Sequence, residues 1–415
     1  MFNFQVSREL FYYALPAFAI ALLGLPLYVY LPTFYAQNIG LGMFEVGAVL
    51  FAARFLDVLI DPIIGYASDR YFTRQKLMTF GGVILIISFY FLTHPIEAIG
   101  YFWLLGFSIL VYIGWSMLSI PYYALGADLG ENYHQNTHYS SARELSNITG
   151  VLVALFLPYI FEVANDAKSS LVVMFNTIAI VLPLVMTLFL LKIKYKHTRN
   201  SLLSLGVMFK KVVAQVKVSQ HLFITFFLNN FANAVPATLF LFYVNLVIKS
   251  PEFTGLLLLL YFLSGILALP LWVYISKKLS KKTAWILSMA NASFFFAFVP
   301  FLGEGDLLEF TLITLLSGLS LGADMALPAS MQADIAQKSS QSETELSGAF
   351  FGFFAMLTKL SLAFAVGVSF ALLGLFDFNP TQASSESLFV LSLLYGVLPV
   401  ILKITAIFTL SKYEE

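Results

Sequence analysis

Apolar runs of about 20 residues recur along the chain, each long enough to cross a hydrocarbon core and each ended by a short polar break. Reading the runs against their breaks predicts twelve transmembrane helices. They fall at approximately 10–35, 44–67, 77–95, 100–127, 142–163, 169–192, 221–247, 253–276, 284–302, 308–332, 347–375 and 387–411. The break at roughly 193–220 is the longest; it divides the chain nearly in half, is basic, and has room for a short amphipathic helix on the membrane surface. This layout predicts an N-terminal six-helix half over 1–192, a connector over 193–220 and a C-terminal six-helix half over 221–415.

Lysine and arginine orient the spans. Lys168 and Lys249 fall on one side, Arg54, Lys359 and Lys403 fall inside predicted spans, and every other Lys and Arg falls on the opposite side. The positive-inside rule then places both termini and the connector in the cytoplasm, as expected for a multi-pass protein of a cell (inner) membrane. The halves echo one another. The second span ends in Gly65-Tyr66-Ala67-Ser68-Asp69-Arg70 and the eighth in Val273-Tyr274-Ile275-Ser276-Lys277-Lys278. Two six-helix halves joined by a basic connector are the layout of a major facilitator transporter, whose site lies near mid-membrane.

Composition supports lipid as the solvent. The 415 residues are 59% hydrophobic and only 11% charged, with 43 Phe and a mean hydropathy of +0.85, against roughly 25% charged residues in soluble domains. The formal net charge is zero, so nothing in the balance argues for a nucleic-acid partner. There is no cysteine, which excludes disulfides and thiolate metal sites. No phosphate-binding loop, zinc-ligand spacing or nucleophile elbow is present, so enzymatic catalysis and hydrolysis-driven transport are not expected, nor is a cofactor beyond a coupling ion. The N-terminus lacks the pattern of a removed signal peptide. A small-molecule substrate, a lipid environment and a monomer are the expected partners and state.

An ionisable side chain at mid-membrane costs roughly 2.5–3.5 kcal/mol by the lower scales and marks function by default. The second span carries three, in Arg54-Phe55-Leu56-Asp57-Val58-Leu59-Ile60-Asp61-Pro62. At about 100° per residue Arg54 and Asp61 lie nearly in register and Asp57 roughly 60° away, so the three share a face. Pro62 removes the backbone hydrogen bond to the carbonyl of residue 58. Hard oxygen ligands suit Na⁺, whereas two close carboxylates raising each other's proton affinity suit H⁺. The plainer alternative is an Arg54–Asp ion pair that only fixes packing. Lys359 on the eleventh span either faces a central cavity or snorkels; at about 1.5 Å per residue it lies roughly 18 Å deep, which favours the cavity. Lys403 on the twelfth span lies close enough to the cytoplasmic end to snorkel. Arg143 either contacts an anionic or hydroxylated ligand through its forked donors or pairs with Glu144 or Asp128. Trp115, Ser116, Ser119, Tyr122 and Tyr123 form a polar and aromatic stripe around Pro121, a candidate pocket wall. Asn229, Asn230 and Asn233 read as helix-joining residues.

The string Arg54-x-x-Asp57-x-x-x-Asp61-Pro62-x-x-Gly65-x-x-Ser68-Asp69-Arg70 resembles the signature of the glycoside–pentoside–hexuronide:cation symporters, the family of melibiose permease. Ile120-Pro121, Arg143, Ala333-Asp334-Ile335 and Lys359 follow in the matching order. The resemblance implies that Asp57 and Asp61 ligate the coupling cation (as metal ligands if it is Na⁺), with Ser116 at a hydroxyl-ligand position. It implies that Lys359 lies between cation and substrate sites, with Arg54, Ser119, Tyr123 and Arg143 in substrate binding or coupling. Ala21 and Ser119 stand where the family has sugar-binding carboxylates, and Ile60 where it has an Asn. Bidentate carboxylate bonds to sugar hydroxyls are therefore missing, while the coupling half of the mechanism is intact. The expected function is cation-coupled symport of a sugar-like or other small organic solute by alternating access. The alternative is cation-coupled transport of a lysophospholipid or another amphiphile.

Overall fold

The computed structural model describes residues 4–24, 27, 30–41, 43–96, 100–130, 133–163, 166–194, 204–340, 347–376, 378 and 384–414. In chain order the helices are α1 (Phe4–Ala21), α2 (Leu31–Thr33), α3 (Met43–Arg70), α4 (Arg74–Thr93), α5 (Tyr101–Leu129), α6 (Tyr133–Ile160), α7 (Ala167–Lys192), α8 (Leu205–Val218), α9 (Gln220–Phe242), α10 (Thr254–Lys278), α11 (Lys281–Phe296), α12 (Leu307–Ser340), α13 (Ser347–Leu375), α14 (Ser385–Ser392) and α15 (Leu398–Ser411). Short π-helical turns extend α2 over Phe34–Asn38 and α9 over Tyr243–Ile248, and another joins α14 to α15 over Leu393–Val397.

Among the described residues, nine helical segments are long and apolar enough to cross a membrane. The segments α1–α2, α3 and α6 occupy the other three predicted positions, too charged, polar or interrupted to register by hydropathy alone. Outward faces fit a lipid solvent: on α7, Ile180, Leu184 and Leu191 are 69%, 56% and 65% exposed along one stripe. The connector does form the expected amphipathic helix, α8; its residues 195–203, with Lys196 and Arg199, lie outside those described.

Three boundaries depart from the hydropathy reading. The first span is not one regular helix: α1 ends at Ala21 and a turn follows at Leu22–Leu23, while Leu27 and Tyr30 are π-helical before α2 begins at Leu31. The fifth begins at Tyr133 rather than near 142, and the tenth continues to Ser340 rather than ending near 332. Both extensions are polar, and a hydropathy window cannot see helix outside lipid. A bond from Asn136 Nδ2 to Asp334 Oδ1 at 2.8 Å runs between them.

Contacts divide the chain into two compact units, 1–212 with 332–356 and 213–331 with 357–415. In the first, α4 and α5 meet backbone to backbone. A Cβ on Gly81 would stand 2.8 Å from the Gly114 carbonyl oxygen, and one on Gly114 would stand 2.8 Å from that of Gly81. Such small-residue crossings let helices pack where apolar burial gives no driving force. Aromatic donors add bonds between helices: Tyr122 Oη donates to Tyr13 O at 2.7 Å and Trp103 Nε1 to Phe91 O at 3.1 Å.

The second unit is built alike. A Cβ on Gly322 of α12 would stand 2.5 Å from the Gly265 carbonyl oxygen of α10, and Tyr243 stacks on Tyr395 with ring centroids 4.2 Å apart. Tyr243 Oη donates to Val299 O at 2.8 Å.

Candidate functional site

The helix α3 runs unbroken through Pro62 and carries Arg54, Asp57 and Asp61. Asp57 and Asp61 are 2% and 0% exposed, one helical turn apart. Ser116 on α5 is also buried, and its hydroxyl donates to Asp57 Oδ1 at 3.0 Å. Arg54 Nη1 lies 3.3 Å from Asp57 Oδ2, and the guanidinium rests over the Tyr112 ring at 4.2 Å and beside Trp115 at 5.9 Å. Thus α5 supplies both the hydroxyl on one Asp57 oxygen and the aromatic seat for the arginine bonded to the other. Arg54, Asp57 and Asp61 together carry a formal charge of −1 in a buried position, where an added cation gains more than it would in water.

Ser119, 9% exposed, follows Ser116 by one turn of α5. Tyr123 lies beneath Arg143, whose guanidinium sits 4.4 Å from the ring centroid. Arg143 also makes the paired contact that the sequence offered as its alternative. Its Nε donates to Glu144 Oε1 at 2.9 Å, and Nη2 lies 2.8 Å from the same oxygen. Ala21 is buried at 7% exposure. Lys359 is half-buried on α13 and belongs to the second unit, just past the point at which that helix leaves the first.

Two polar clusters carry more than the sequence reading assigned to them. At the basic end of the first unit, Arg74 is fully buried. Its Nε donates to Asp128 Oδ2 at 2.6 Å, its Nη1 to Asp69 Oδ1 at 3.3 Å and Ser68 Oγ at 3.2 Å, and its Nη2 to Ser347 Oγ. Asp69 in turn accepts from the first amides of α13, Gly348 N and Ala349 N, both at 2.8 Å. Burial pushes the Asp69 carboxyl up to about 6, against the opposing pull of Arg74 and those two N–H groups. Gly348 is required here: a Cβ would come within 2.6 Å of Asp69 Oδ1. Sequence placed Arg74 among loop charges; only folding shows a buried hub.

In the second unit Lys403 does not reach for the surface. It is 6% exposed, and its Nζ donates to Asp324 Oδ2 at 2.9 Å and to Asn229 Oδ1 at 2.7 Å. Asp324 also accepts from Asn233 Nδ2 and Trp285 Nε1, each at 3.0 Å. Four helices, α9, α11, α12 and α15, are tied at one carboxylate. Asp324 is a charge inside the tenth predicted span, and its presence there was the available signal. Among the described residues no group of three or more His, Cys, Asp or Glu side chains gathers as a metal cluster.

Comparisons with known proteins agree with this architecture. The family model described as MFS/sugar transport protein matches residues 12–414. An uncharacterized symporter of Bacillus subtilis (strain 168) is 27% identical over 169 residues, 38% of this chain and 36% of its own. The sphingosine-1-phosphate transporter MFSD2B of Xenopus tropicalis is 24% identical over 298 residues, 70% of this chain and 58% of its own. The matches thus span less than two thirds of either relative. Among solved structures, the E. coli fucose:proton symporter superposes with a TM-score of 0.69 at 13% identity, covering 97% of this chain and 98% of that one. A bacterial homologue of the iron transporter ferroportin gives the same score, identity and coverage. At such identity the likeness is one of fold. The chain belongs to the MFS/sugar transport protein family and is a multi-pass membrane protein with the major facilitator fold.

Proposed function

We propose that this transporter is a cation-coupled symporter whose coupling ion, Na⁺ or H⁺, binds at Asp57 and Asp61 with the Ser116 hydroxyl beside them. The observation that carries the reading is a buried carboxylate pair one turn apart on α3, with Ser116 3.0 Å from Asp57. Arg54 is the positioning residue: held on Tyr112 and bonded to Asp57, it fixes that carboxylate. Two buried carboxylates are stabilised by a bound cation. Solute and cation are linked if the state that binds both is favoured over the states that bind either alone. The basic end of the helices is cytoplasmic in this reading, in a cell (inner) membrane, and the protein is monomeric and binds no nucleic acid.

For cargo, the reading is a sugar-like or other small organic solute. The family description and the sugar-symporter fold neighbour support it. An amphiphile is the second reading, favoured by the sphingosine-1-phosphate transporter relative and by the apolar Ala21 where a sugar-binding carboxylate would stand. Ligand-induced thermal shifts of the purified protein, with and without Na⁺, separate the two classes. The coupling proposal is tested by uptake in Asp57→Asn and Asp61→Asn. Each is expected to abolish cation-driven accumulation, and unchanged cation dependence in both variants would sink the proposal.

A further inference from the structure

The first unit carries a groove of about 700 Å³ at its basic end, within the size range of small-molecule pockets. Its walls are the α3–α4 turn (Tyr71, Phe72, Thr73), the first turns of α4 (Lys76, Thr79, Phe80) and Leu190 near the end of α7. Gln75 Nε2, donating to Ile193 O at 3.0 Å, ties α4 to the end of α7 beneath it. The groove lies where two spans terminate together, since α4 begins at Arg74 and α7 ends at Lys192. That is the level at which a bilayer changes from headgroup to acyl chain.

Three features converge on one ligand chemistry. Lys76 is exposed in the groove, Arg70 lies 5.4 Å from the Tyr71 ring at its edge, and no carboxylate is among the lining residues. Thr73 and Thr79 add hydroxyls. From Phe80 an exposed apolar stripe then continues down α4 through Val83 and Ile87, 55%, 52% and 52% exposed at helical spacing. A cationic and hydroxylated cup opening onto an apolar track matches an anion carried on a hydrocarbon chain. Tyr71 and Phe72 supply the aromatic edge usual at that depth.

We propose that this groove is a binding site for an anionic phospholipid of the surrounding leaflet. Lys76 meets the phosphate, Thr73 and Thr79 the headgroup, and the Phe80–Val83–Ile87 stripe an acyl chain. The site is separate from Asp57 and Asp61, and the proposal does not depend on which solute is carried. It deepens a general attraction of basic termini for anionic lipid into a site with one defined lysine.

Native mass spectrometry of the full chain, released from micelles containing equimolar phosphatidylglycerol and phosphatidylcholine of identical acyl chains, reads the retained lipid directly. Wild type is expected to retain phosphatidylglycerol over phosphatidylcholine. Lys76→Ala is expected to lower that retention about five-fold, the effect of one basic side chain near an anionic headgroup. Lys76→Arg should preserve it. Lys278→Ala removes an exposed lysine that sits 4.8 Å from an aromatic ring in the other unit and should leave retention unchanged. Equal retention of the two lipids, an unaffected Lys76→Ala, or an equal loss in Lys278→Ala would each overturn the site. Should Lys76→Ala be lost on extraction, Lys76→Gln makes the same measurement.

Discussion

At the scale of single residues, two buried clusters are tied differently. Asp324 pairs with Lys403 and is bonded by Asn233 and Trp285, with Asn229 on the lysine, whereas Asp57 is held by Arg54 and by the Ser116 hydroxyl. The two clusters should therefore answer mutation differently. Removing one partner of the balanced pair strands the other, so Asp324→Asn or Lys403→Met should each destabilise the protein by about 3–5 kcal/mol. The double variant should recover most of that loss, as read by thermal melting in detergent. Ser116→Ala takes a donor from the buried Asp57 carboxylate and should cost about 1–3 kcal/mol in melting. If the coupling ion is Na⁺, losing the hydroxyl oxygen should weaken it on the order of tenfold; if it is H⁺, losing a donor that favours the ionised carboxylate should tighten it instead. Cation titration of uptake checks it, and an unchanged half-saturation would count against Ser116 as part of the site.

At the scale of elements, backbone contact and not side-chain volume sets the crossing of α4 and α5. Gly81 and Gly114 face each other with no room for a Cβ. Gly114→Leu must separate the helices, and α5 holds Ser116 and the aromatic seat of Arg54. The variant is expected to lose about 1–3 kcal/mol in unfolding and to lower uptake with it. A variant with full stability and full uptake would show the crossing to be tolerant. The polar extensions of α6 and α12 make the complementary point. Their helices persist beyond the apolar runs, and Asn136 and Asp334 bond across them, a long-range partnership invisible to any window along the chain.

For the folded molecule as a whole, the pH response is expected to come partly from Asp69. Its folded pKa, about 6, lies above the unfolded value near 3.8. The folded state therefore binds the proton more tightly, and stability falls as pH rises from about 4 through about 6, then levels. Asp69→Asn should flatten that slope in melting curves taken across the window. A slope unchanged in Asp69→Asn would place the titration elsewhere.

The sequence by itself determined the approximate position of the helical segments, though not the break in the first or the extended ends of the fifth and tenth, together with the amphipathic connector helix and the identity of the α3 trio. Each depends on local quantities: hydropathy over a window, proline, and the 100° step that puts Arg54, Asp57 and Asp61 on one face. It could not determine which charges are neutralised. Arg74 read as a loop arginine, Lys403 as a lysine within the twelfth span near enough to its cytoplasmic end to snorkel, and Arg143 had two readings of equal standing. Pairing of a buried charge depends on residues scores to hundreds of positions away, as Arg74 with Ser347 and Lys403 with Asn229 show. Lipid gives an unpaired charge no alternative partner, so the tertiary structure had to settle each of them. What it settled was a hub at Arg74, a knot at Asp324, and the bonding of Asp57 to Arg54 and Ser116.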